Sequence, residues 1–180
     1  DQRTRGDKGV TGSQDSGTMG SYVARCDSNR YRNRGILMKV SSILTHKGTD
    51  VVTVTPDTTV PELARILSEH NIGAVVVSSD GETVEGIVSE RDVVHSLSHG
   101  PDVLQRPVAS IMTSTVFCAP PEAHVDELMH LMTEKRVRHI PVTDPEGILM
   151  GIVSIGDVVK SRLSELEGER QALLEYITKG

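Results

Sequence analysis

The chain has 180 residues, with 19 Lys and Arg against 25 Asp and Glu, for a formal net charge of −6. That length holds one or two small domains, and the acidic balance argues against a general nucleic-acid binder, which usually shows a basic face. Trp is absent and Phe117 is the only phenylalanine, so stacking platforms for single strands are poorly supplied and the core must be built from Val, Ile, Leu and Met.

No apolar run is long enough to span a bilayer, and no apolar signal-type segment precedes the patterned region. Cys26 and Cys118 are the only cysteines, too few for a disulfide framework. These features predict a cytoplasmic protein without a membrane partner. The seven histidines are scattered, and neither cysteine has a metal-ligand spacing nearby. No metal site is expected.

Residues 1–38 are rich in Gly, Ser, Asp and Arg, with seven Lys and Arg against four Asp. Such a segment cannot bury enough apolar surface to fold alone, so a disordered leader is expected. Met38 stands directly before the patterned region, which also fits a non-native leader. A basic arm for an anionic partner is the less favoured reading.

The pattern then begins. Val51 to Val54 is a short β-branched run and predicts a strand. Pro56 ends it. Thr59 and Glu62 form a capping box with Pro61 in the first turn, and Val60, Leu63, Ile66 and Leu67 follow at helical spacing. Gly73 to Val77 predicts a strand buried on both faces. Asp80-Gly81 is a hairpin-type turn signal, Val84 to Val88 the returning strand, and Ser89 opens another helix. Gly100 to Pro107 is a join.

After the join the chain repeats itself. Gly86-Ile87-Val88-Ser89-Glu90-Arg91-Asp92-Val93-Val94 returns as Gly151-Ile152-Val153-Ser154-Ile155-Gly156-Asp157-Val158-Val159, 65 residues on. Val60, Glu62, Leu63 and Glu69 meet Val125, Glu127, Leu128 and Glu134 at the same offset. Ser42-Ile43-Leu44 resembles Ser110-Ile111-Met112 at an offset of 68, so the first copy carries three extra residues near Lys47 to Asp50. A fixed period of this kind marks a duplicated supersecondary unit. The division expected is a leader at 1–38, one unit at 39–100, a second at 101–164, and a helical extension at 165–180. Each unit is too small to build a thick core alone, so the two are expected to pack as one module.

Val159, Leu163, Leu166, Arg170, Leu173 and Ile177 alternate at spacings of four and three, a heptad-like stripe with one charged interruption. The last helix is therefore expected to continue past the repeat to about Lys179, packing on its own module or meeting a second chain.

The chemistry centres on Ser89 with Asp92 and Ser154 with Asp157. A serine three residues before an acid at a helix start is, taken once, a capping device. Its repetition, after Gly86 and Gly151 inside apolar strands, suggests more, because glycine weakens a strand unless something must approach closely. A hydroxyl, open backbone amides and an acid at a helix start suit a ribose phosphate, with the helix end attracting the phosphate and the carboxylate bridging two ribose hydroxyls.

These residues resemble the CBS domain, and the pair resembles a CBS tandem or Bateman module over roughly residues 40–163. The resemblance rests on Gly-Ile-Val-Ser-x-x-Asp-Val-Val twice, on Val137-Arg138-His139-Ile140-Pro141-Val142, and on Ser110-Ile111-Met112-Thr113 opening the second copy. It implies an α/β (α+β) fold of two β-α-β-β-α repeats packed around a pseudo-twofold axis, with two clefts for adenosine-type ligands. By resemblance, Asp92 with Ser89 and Asp157 with Ser154 hold ribose, and Arg138 and His139 reach phosphates in the Asp92 cleft. The positions matching Arg138 and His139 in the first repeat are Gly73 and Ala74, which carry no charge. The Asp157 cleft is thus expected to lack a phosphate clamp and to favour a neutral nucleoside, bind weakly or stay empty. Pairing of such tandems into a homodimer is implied as well.

No nucleophile–base pair, metal motif or phosphate-binding Gly-rich loop is present, so an enzyme is not expected. The expected function is a regulatory module without a cofactor, sensing an adenosine-containing ligand: AMP, ADP, ATP, NAD(H) or S-adenosylmethionine, with AMP or ATP favoured. The alternative is an interaction or scaffold protein with vestigial clefts, acting through dimerisation, an unidentified protein partner or the C-terminal helix.

Overall fold

The computed structural model describes residues 38–178. The expectations for Cys26, for the leader before Met38 and for Lys179 lie outside the described residues. Helix α1 (Val40–Lys47) ends at Gly48, whose φ of 95° suits glycine. A two-residue strand β1 (Thr53–Val54) leads to α2 (Val60–Glu69), capped by the Thr59 hydroxyl accepting from the Glu62 amide. Strand β2 (Ala74–Val77) is buried at all four positions and lies between parallel β1 and antiparallel β3 (Gly86–Ser89). Helix α3 (Glu90–Leu97) completes the first half, and two short 3-10 turns, Pro101–Gln105 and Val108–Ser110, open the second. The second half comprises α4 (Val125–Lys135), β4 (His139–Thr143), β5 (Leu149–Ser154) and the long α5 (Ile155–Thr178).

Expected strands are shorter than the pattern suggests, starting with β1, which covers only Thr53–Val54 of the Val51 to Val54 run. The returning strand is regular from Gly86 rather than Val84, although the Glu85 amide already donates to the Val77 carbonyl. Asp80 accepts from the Ser78 and Thr83 hydroxyls and from the Glu82 and Thr83 amides. These bonds, the Thr83 amide first, hold its carboxyl well below the usual range. Thr83 itself bridges to Ile148 at the tip of the other hairpin. In the second half the counterpart of β1 shrinks to one parallel bridge between Ala119 and Val142. Pro120 and Pro121 follow Ala119 and have no amide to extend it.

The two halves exchange their opening segments. Val40, Ile43 and Leu44 of α1 pack with Leu128, Met132, Ile140, Val142 and Val153 of the second half. In return Val108, Ile111 and Met112 pack with Leu63, Val75, Val77 and Val88 of the first. A third cluster of Val76, Val84, Val116 and Cys118, with Ile87, Leu149 and Ile152 against it, joins the sheets. The repeated glycines are the points of exchange. A β-carbon on Gly151 would stand 2.6 Å from a Leu44 methyl, and one on Gly86 would stand 2.6 Å from the Met112 sulfur. Leu44 and Met112 are repeat partners, so each opening segment lies over the other repeat's strand, about a pseudo-twofold axis. Met38 belongs to this packing: its carbonyl accepts from the Val125 amide and its sulfur from the Ser161 hydroxyl. Among the described residues no helix is long and apolar enough to cross a membrane.

Candidate functional site

Each motif serine ends the last strand of its repeat and starts the helix that follows. Ser89 pairs with Ala74 at the start of β2, and Ser154 pairs with His139 at the start of β4. The next amide closes the same corner in both repeats, Glu90 to the Gly73 carbonyl at 3.1 Å and Ile155 to the Arg138 carbonyl at 2.8 Å. The acids three residues on reach back. Asp92 Oδ2 accepts from the Ser89 amide at 2.8 Å and the Ser89 hydroxyl at 2.6 Å. Asp157 Oδ2 accepts from the Ser154 amide and hydroxyl, each at 2.8 Å. The capping role is therefore present at both sites. Among the described residues, neither Oδ1 accepts a hydrogen bond, so one oxygen of each acid is left over.

The first site opens into a cavity of about 290 Å³ assembled from both repeats. Ser89, Asp92 and Arg91 come from the first, and Arg136, Arg138 and His139 from the approach to β4. Thr113, Thr115 and Phe117 on the connecting stretch line it as well. Thr113 is fixed there by a reciprocal pair of backbone bonds with Ile87, at 3.0 and 2.9 Å. Arg136 is placed by its left-handed backbone (φ 56°) at the end of α4. The structure thus brings Arg138 and His139 to Asp92. Sequence reasoning passed over Arg91, Thr113, Thr115, Arg136 and Phe117 as site residues. Phe117, the only phenylalanine and 36% exposed, is the one whose singularity was a signal.

His139 has a second neighbour set. It lies beside Gly73, whose β-carbon would stand 3.5 Å from Cε1, and in the fields of Glu90, Arg138, Lys47 and Asp157. It therefore stands at the seam between the two sites. Burial lowers its pKa, the Lys47 charge lowers it further, and the Asp157 carboxylate opposes both.

The second site departs from expectation. Lys47 Nζ donates to Asp157 Oδ2 at 2.7 Å and to the Ile152 carbonyl at 3.1 Å. Burial raises the Asp157 pKa, but the bonds from Lys47 and from the Ser154 amide and hydroxyl outweigh it and hold the carboxyl below its usual value. A cavity of about 380 Å³ between α1 and α5 is lined by Asp157, His46, Lys47 and Lys160. Cations thus reach the Asp157 side from the helices, although Gly73 and Ala74 supply none. The repeat offset compares like with like and could not show a charge arriving from the exchanged α1. Among the described residues no group of three or more His, Cys, Asp or Glu is placed to hold a metal.

The two interlocked halves carry matching serine–acid corners, and the CBS domain family model matches residues 40–99 and 108–164. The chain belongs to the CBS domain family. It is 39% identical over 131 residues to the mitochondrial CBS domain-containing protein CBSX3 of Arabidopsis thaliana, covering 70% of this chain and 63% of that protein. It therefore spans less than two thirds of that relative's length. A CBS-domain containing protein of Agrobacterium tumefaciens shares 47% identity and a TM-score of 0.65, covering 69% of this chain and 98% of that structure. A CBS domain protein of Pyrobaculum aerophilum complexed with AMP is 26% identical with a TM-score of 0.60, over 67% of this chain and 89% of that one. A CBS domain pair in complex with 5-methylthioadenosine and S-adenosyl-L-methionine is 25% identical with a TM-score of 0.61, over 68% and 98%. The fold is that of a CBS pair with a C-terminal helix.

Proposed function

We infer that this CBS pair is a regulatory module that binds an adenosine-containing nucleotide in the Asp92 cleft. The observation that carries the reading is the divided carboxylate. Asp92 Oδ2 ties off its own helix, while Oδ1 has no partner among the described residues, on the wall of a cavity shared with Arg136 and Arg138. An acid kept only as a cap needs no such cavity. The ribose hydroxyls go to Asp92, the phosphate to Arg136, Arg138 and His139, and the base to the apolar side at Ile87, Val116 and Phe117. The three guanidinium groups lining the cleft, Arg91, Arg136 and Arg138, favour a phosphorylated ligand, AMP or ATP, over S-adenosylmethionine with its sulfonium cation. Because both repeats build the cleft, a bound nucleotide favours whichever packing of the halves it fits best, which is how binding is passed to a partner.

Calorimetric titration with adenosine, AMP, ATP, NAD and S-adenosylmethionine tests this, at protein concentrations of about 100 μM where weak binders register. No heat with any of them removes the reading. Arg138→Ala is expected to weaken AMP by roughly tenfold or more while leaving adenosine nearly unchanged, since hydrogen bonds to charged groups contribute about 1.5–3 kcal/mol. Equal loss for both ligands makes Arg138 structural.

A second reading, self-association, is favoured by the outer part of α5, where Leu163, Leu173 and Ile177 are 56%, 64% and 71% exposed. In it two copies meet along this stripe as a homodimer. Truncation after Leu163 is expected to yield a monomer in sedimentation with AMP affinity intact. A truncated chain that still sediments as the full one removes this surface.

A further inference from the structure

At the acid itself, the second cleft carries an ammonium group that the first lacks among the described residues. The backbone carbonyl of Ile87 is taken by the Thr113 amide, but that of its repeat partner Ile152 is taken by Lys47 Nζ, which also holds Asp157. Lys47 is the last residue of α1 and abuts the three extra residues of the first repeat. At the opening offset of 68 its counterpart is Thr115, a neutral residue lining the Asp92 cleft. The exchange of opening segments delivers Lys47 to the far repeat's acid, and the longer α1 gives it the reach.

We propose that Lys47 sets the ligand class of the Asp157 cleft, stopping the acid when the cleft is empty and receiving an anion when it is filled. The proposal rests on the reading that Asp157 holds ribose hydroxyls. Those hydroxyls are drawn to a charged carboxylate, and here that charge is already met by Lys47, with Oδ2 accepting three donors. A neutral nucleoside whose hydroxyls take the remaining Oδ1 competes with the ammonium for the same charge, among Lys160, His46 and His139, and gives it no new partner. A nucleoside phosphate takes the acid with its sugar and gives the ammonium a new partner. The cleft therefore selects ribose phosphates over nucleosides.

The stopper is weak enough to be displaced. Lys47 and Asp157 are 40% and 24% exposed, and ion pairs so placed contribute roughly a fivefold factor or less. A phosphate–ammonium bond contributes roughly tenfold or more.

The test uses the isotope-labelled full chain, with the amides of Gly151 to Ser154 reporting the Asp157 cleft and those of Gly86 to Ser89 the other. Adenosine and AMP are the probes. In the unsubstituted protein AMP is expected to bind the Asp157 cleft roughly tenfold or more tightly than adenosine. In Lys47→Met adenosine tightens by up to about fivefold, while AMP loses a roughly tenfold contact but no longer displaces the stopper and so weakens by about twofold or more, and the preference collapses. Lys47→Arg retains it, and Lys47→Gln serves where the Met variant does not fold. In the ligand-free Lys47→Met chain the His139 ring signal titrates at higher pH, because a neighbouring cation is gone. An unchanged AMP-to-adenosine ratio in Lys47→Met overturns the assignment. If neither probe moves the Gly151 to Ser154 amides in any form, the ribose reading of Asp157 fails, and the selectivity falls with it.

Discussion

Asp92→Ala separates the two roles that one carboxylate plays. The substitution deletes the bonds from the Ser89 amide and hydroxyl at 2.8 and 2.6 Å. Loss of a helix cap of this kind costs about 1 kcal/mol. It also deletes the acceptor for the ribose hydroxyls. Two hydrogen bonds to a charged acceptor, at the low end of about 1.5 kcal/mol each, amount to roughly a hundredfold in Kd. Urea unfolding reads the first effect and AMP calorimetry the second. Asp157→Ala is expected to lose a similar cap and the exposed Lys47 pair, but less AMP affinity, because Arg136, Arg138 and His139 still serve the intact Asp92 cleft. An Asp92→Ala protein that loses stability yet binds AMP as before shows that the acid is only a cap. A larger affinity loss at Asp157 refutes the ranking of the two clefts.

His139 predicts an acid-side loss of stability. Its folded pKa lies below the ordinary 6.5, so the unfolded chain binds more protons in that window. Stability then rises with pH up to about 6.5 and is lost as pH falls toward the folded midpoint. His139→Gln should flatten this limb in urea midpoints taken from about pH 5 to 7.5, and an unchanged slope assigns it to other groups. Gly86→Ala and Gly151→Ala should each destabilise by about 1–3 kcal/mol through overpacking. The first should cost more, because its new β-carbon meets the Thr113 backbone oxygen at 3.2 Å as well as Met112, whereas the second meets only Leu44 side-chain atoms. Equal losses by urea unfolding contradict that ordering.

The duplication, the serine–acid corners and the buried strand at Val75 to Val77 were legible in the sequence. An apolar run and a helix start carry their meaning within a few residues, and a fixed offset needs only one stretch of sequence compared with another. The C-terminal stripe likewise foretold a long helix, now seen as Ile155–Thr178. The pairing of Arg138 and His139 with Asp92 came from family resemblance rather than from spacing. What the tertiary structure alone decided is which segment covers which strand. The exchange of α1 against the Val108–Met112 stretch places Leu44 on Gly151 and Lys47 on Asp157, across more than a hundred residues of chain. A repeat alignment superposes each copy on the other and is blind to contacts between them. The charge on the second acid is such a contact, and so is the position of His139 between two clefts.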